Sequence, residues 1–93
     1  RATADVTALA SASARALETY AAIKKASAKA VIDRRQRTIV INATAESPEL
    51  LGEAARAADQ VARDAVTMIG DSSLATRTVI YIEKRHKATR TLN

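Results

Sequence analysis

Thr38-Ile39-Val40-Ile41-Asn42 opens the stretch that decides the fold; Ser47-Pro48-Glu49, an alanine-rich run closing at Gly70-Asp71-Ser72-Ser73, and Thr78-Val79-Ile80-Tyr81-Ile82 complete it. The outer segments are β-branched and alternate in side, which is strand chemistry. In the middle segment Leu51, Ala54, Ala58, Val61, Ala65, Met68 and Ile69 recur three or four apart, which is helix chemistry. Ser47 suits an N-cap, Pro48 the first helical position and Gly70 the residue after the helix. Strand 37–44, helix 48–69 and strand 76–84 therefore read as a right-handed crossover with parallel strands, an antiparallel arrangement with a partner's strands between them being the open alternative.

Upstream, Val6, Leu9, Ser13, Leu17, Tyr20, Ile23, Ser27 and Val31 also fall three or four apart, with no Gly or Pro between them. The spacing predicts one long helix over 5–33. Such a helix spans on the order of 40 Å, whereas a short strand spans about 17–20 Å. The surplus length points to a break near Ala26 to Ala30 or to something packed on it, and the two open sheet edges point to elements supplied by another molecule. The expected fold is a small two-layer α/β (α+β) domain in the order helix, strand, helix, strand, with a basic C-terminal tail to residue 93. Its sheet would be completed by oligomerisation or a partner.

The chain has 93 residues, no Phe, Trp or Cys, and only Tyr20 and Tyr81 as aromatics. Much of its apolar fraction is alanine, so burial leaves little margin over chain entropy. Without cysteine there are no disulfides, thiol nucleophiles or thiolate metal sites. No apolar run reaches the roughly 20 residues that span a bilayer. The start at Arg1 reads as a processed or trimmed chain, and the Ala- and Arg-rich composition as bacterial. The compartment, cytoplasm or periplasm and envelope, stays open.

The net charge of +5 is partitioned. Residues 45–75 are acidic, through Glu46, Glu49, Glu53, Asp59, Asp64 and Asp71 against Arg56, Arg63. Lys24, Lys25, Lys29, Arg34 and Arg35 form one basic cluster, and Lys84, Arg85, Lys87 and Arg90 another. These charges are solvated faces with weak i,i+4 pairs, or they orient a partner.

No constellation carries catalysis. His86, the only histidine, sits among cations with no second His or Cys to share a metal. Glu46, Glu49 and Glu53 gather where a helix N-terminus favours negative charge anyway. Gly70 follows a helix and precedes a strand, the reverse of a phosphate loop. Ser, His and Asp show no nucleophile spacing. No enzyme activity, cofactor, metal or small-molecule ligand is expected.

The leading expectation is a non-enzymatic assembly module, a self-associating subunit or domain of a larger bacterial complex. Its interface would use Val6, Leu17 and Tyr20 on the first helix, with Tyr81, Glu83, Arg85 and Lys87 on the last strand and tail. The alternative is a nucleic-acid-binding module using Lys24, Lys25, Arg34, Arg35, Arg85 and Lys87. Such binding would weaken steeply with salt, and it would lack interleaved aromatics for stacking bases.

Overall fold

The computed structural model describes residues 2–70 and 73–83. Helix α1 is Ala2–Leu17, strand β1 Ile23–Asp33 and strand β2 Gln36–Ala45. A 3-10 turn, Pro48–Leu50, leads into helix α2, Leu51–Ile69, and strand β3 is Ala75–Ile82. The described residues form a small α+β domain of two helices and a three-stranded sheet in the order β1-β2-β3.

The expected order helix, strand, helix, strand is corrected: a second strand follows the first helix directly. The expected helix over 5–33 ends at Leu17, and residues 23–33 are strand. No Gly or Pro ends the helix. The Thr19 hydroxyl donates to the Ala16 carbonyl at 2.6 Å. The amides of Thr19 and Tyr20 close i→i−3 bonds onto Ala16 and Leu17, each 3.1 Å, tightening the last turn as helix ends do. Glu18 then accepts the Ala26 amide at 2.9 Å, tying the turn to the new strand.

β1 and β2 form an antiparallel hairpin joined by Arg34-Arg35 alone. Both residues have positive φ, 55° and 66°, the pattern of a type I′ turn, whose twist matches that of the strands. β2 and β3 pair in parallel through the α2 crossover. α2 ends at Gly70, whose φ of 69° is left-handed and whose amide reaches the Val66 carbonyl at 3.0 Å. Ser47 precedes Pro48, but its side chain makes no capping bond; its carbonyl accepts the Leu50 amide instead.

Both helices lie on one face of the sheet. Ile39 and Ile41 of β2 are wholly buried, as is Leu17 of α1. Around them pack Val6, Ala10, Ala54, Ala57, Ala58, Val61, Ala62, Ala65 and Leu74. The register sets Ala26, Ala28 and Ala30 beside Ala43, Ile41 and Ile39 on this same face. Alanine on strand and helix lets α1 and α2 approach closely, but it buries little area. Leu17, Ile39 and Ile41 are the largest fully buried side chains, so the core is thin by the usual area bookkeeping.

Candidate functional site

The other face of the sheet is the candidate surface. Alternation from the core positions places Lys25, Ser27 and Lys29 of β1 there, with Val40, Asn42 and Thr44 of β2 and Arg77, Val79 and Tyr81 of β3. Among the described residues, no helix covers this face. Val40 and Thr44 are nevertheless buried, because the side chains of the two flanking strands close over the central one. Lys25, Ser27, Asn42, Thr44 and Tyr81 line a shallow depression of about 530 Å³.

Two ion pairs join the outer strands. Lys24 reaches Glu83 near the exit of β2. Arg77 reaches Asp33 at 3.7 Å. Lys24 falls at the register shift between Ile23 and Lys25, and a bulge of this kind re-aims a side chain.

The two sheet edges differ. β1 carries Lys24, Lys25, Lys29 and Asp33 together with the bulge, the devices that keep an edge from pairing further. β3 between Ala75 and Ile82 carries one charge, Arg77, with no proline. Val79, Tyr81 and Ile82 on it are 37%, 53% and 42% exposed. Thr76 lies beside a groove shared with Asp59, Ala62, Arg63, Val66 and Thr67 of α2. Long, largely apolar and unguarded among the described residues, β3 is the candidate edge for another strand.

The structure scatters the residues expected at an interface. Val6 and Leu17 are 2% and 0% exposed. They belong to the chain's own core, and that expectation is corrected: the stripe that reads as a docking face is consumed by the domain's own sheet. Tyr20 is exposed in the turn after α1, away from the open face. Tyr81 stands on the open face and Glu83 at its margin. Arg85 and Lys87 lie outside the described residues.

The basic residues are separated too. Lys24 and Lys25 open β1 rather than end a helix, and Arg34 and Arg35 form the hairpin tip at its far end. About 30 Å of strand lies between the pairs, so they do not make one patch. Arg77 and Val79 join the surface without having been singled out, and Lys29, expected in a basic cluster at a helix end, joins it from a strand. Their signal was the alternation of β3 and the pairing partner of β2, the second of which was hidden inside the expected helix.

Among the described residues, no group of His, Cys, Asp and Glu side chains could hold a metal ion. Among the described residues, no buried side-chain polar atom is left without a partner. No helix among them is long and apolar enough to cross a membrane. In comparisons with protein-family models, curated proteins and solved structures, nothing matches this chain.

Proposed function

We propose that the chain is a non-enzymatic assembly module that associates with further copies of itself, as a subunit of a larger complex. One observation carries the reading: among the described residues, β3 offers an eight-residue edge with a single charge, Arg77, and without the lysines or bulge that guard β1. An unguarded apolar edge in a folded protein is a hazard unless something pairs with it. The thin core points the same way, since a small domain gains stability when association buries more apolar surface.

Light scattering over a concentration series tests the reading. A mass rising above the 9.9 kDa of one chain, and retained in high salt, is expected. A single-chain mass up to millimolar concentration overturns it.

A second reading has support of its own. Lys25, Lys29 and Arg77 share the open face with exposed Tyr81. Cations around one aromatic can hold a nucleic-acid strand. Binding of random-sequence duplex or single strand that falls log-linearly with salt would favour this reading. No binding at 50 mM salt would dismiss it.

A further inference from the structure

We infer that two copies pair through their β3 edges, antiparallel about a two-fold axis at Ile80, making one continuous six-stranded sheet from two three-stranded ones. The inference rests on the assembly reading and supplies its interface.

The sequence of the edge itself carries the register. Arg77-Thr78-Val79-Ile80-Tyr81-Ile82-Glu83 is nearly self-complementary about its centre. With Ile80 opposite Ile80 of the second copy, Val79 faces Tyr81, Thr78 faces Ile82 and Arg77 faces Glu83. Each pair then occurs twice. Residues directly opposite in an antiparallel pair share a face of the sheet. Arg77, Val79, Tyr81 and Glu83 all belong to the open face, so both the charge pairs and the aromatic pairs meet on that side. Ile80, half-buried against the core, would meet its copy on the helix side. Cross-strand pairs of these kinds, aromatic with β-branched and opposite charges, stabilise a ladder, whereas like charges facing each other weaken it.

No other centre serves as well. Moving the axis one residue along β3 breaks both Arg77–Glu83 pairs together. The existing partners of these groups are no obstacle. The Lys24–Glu83 and Arg77–Asp33 pairs join side chains about half exposed, where ion pairs are weak, and a carboxylate accepts from two donors at once.

Pairing also stops where it should. An isologous contact uses the same patch on both copies and closes at two. Among the described residues it consumes both β3 edges and leaves the β1 edges, guarded by lysines and a bulge. The groove between α2 and Thr76 lies along the same edge and would become a seam between the two α2 helices. A seven-residue edge is a small interface by the usual standard, so the dimer should dissociate on dilution.

Charge reversal tests the register. Arg77→Glu alone and Glu83→Arg alone should each weaken dimerisation about tenfold, measured by sedimentation equilibrium, because each sets like charges opposite each other twice. The double variant restores opposite charges across the axis and should return to within about threefold of the parent. Its unfolding midpoint should not recover, since each single loses one pair within the chain, Arg77–Asp33 or Lys24–Glu83, and the double loses both. The chain has no native cysteine, which allows a second measurement. Ile80→Cys should cross-link to its copy under mild oxidation. Thr76→Cys should not, because the two copies of residue 76 would stand roughly 27 Å apart.

Unchanged association in all three charge variants, or equal cross-linking at 76 and 80, overturns the register while self-association stands. Growth beyond a dimer with concentration overturns the two-fold closure. A monomer at every concentration overturns both this inference and the assembly reading.

Discussion

Lys24 and Glu83, 59 residues apart in sequence, form an ion pair that links β1 to the end of β3 past the intervening β2. Arg77 and Asp33 make a second link between the same two strands. Neither pair is deeply buried. Their value is geometric: they hold the outer strands over Val40 and Thr44, and so help shape the open face.

Breaking the first link should therefore cost little. Lys24→Ala is expected to lower stability by about 0.5 kcal/mol, the range of exposed pairs. The loss should vanish in 1 M salt, where such charges are screened. A double-mutant cycle with Glu83→Gln, followed by urea unfolding below the association concentration, measures it. A loss above about 2 kcal/mol would show that the link is more than a surface contact.

The hairpin turn holds a larger reserve. Arg34 and Arg35 both occupy left-handed backbone, a conformation that costs an ordinary L-residue about 1–2 kcal/mol. Arg34→Asn combined with Arg35→Gly supplies the residues such turns prefer. Stability should rise by about 1–2 kcal/mol, read as a higher urea midpoint. If it falls, the two guanidinium groups contribute more to the fold than their backbone costs it.

Core substitutions should be severe, because so few large side chains fill it. Leu17→Ala is expected to cost about 3 kcal/mol and Ile41→Val about 1 kcal/mol, the usual ranges for buried aliphatic truncation. Thermal unfolding by circular dichroism gives both. A change in oligomeric mass without a matching change in stability would return Leu17 to the interface role that its burial denies.

Gly70 separates backbone strain from packing. A Cβ added there would meet nothing within 4 Å, yet φ is 69°. Gly70→Ala should still destabilise by about 1 kcal/mol, from the left-handed backbone alone. No change in the unfolding midpoint would mean that this cap relaxes readily to another conformation.

The strand–helix–strand unit was legible because its signals agree. β-branched runs, Pro48 at a helix start and Gly70 at a helix end all point to one crossover, and β2 and β3 pair in parallel as its length requires. The strand position of Tyr81 was legible for the same reason, with Glu83 one residue beyond the strand's end. Val6 and Leu17 were placed correctly on an apolar stripe but assigned the wrong neighbour, since nothing in a stripe says whether the chain's own sheet or another molecule covers it.

Residues 23–33 carry the main misreading. Ile23-Lys24-Lys25-Ala26-Ser27-Ala28-Lys29-Ala30-Val31-Ile32-Asp33 alternates with period two, Ala26, Ala28 and Ala30 turned to the core and Lys25, Ser27 and Lys29 to the open face. Alanine hides that alternation. It is the strongest helix former and only weakly apolar, so its contrast with Ser and Lys is faint, while Ile23, Ser27 and Val31 extend the helical spacing of α1.

The chain's own chemistry thus determined the β2-α2-β3 crossover and the symmetric residue pattern of 77–83. Tertiary structure alone decided that 23–33 is a strand. There the ladder to β2 satisfies backbone groups that water or a helix would otherwise serve, and small side chains let α1 lie close on top. Local preference yields to such pairing because each ladder bond is gained together with the packing of a whole strand.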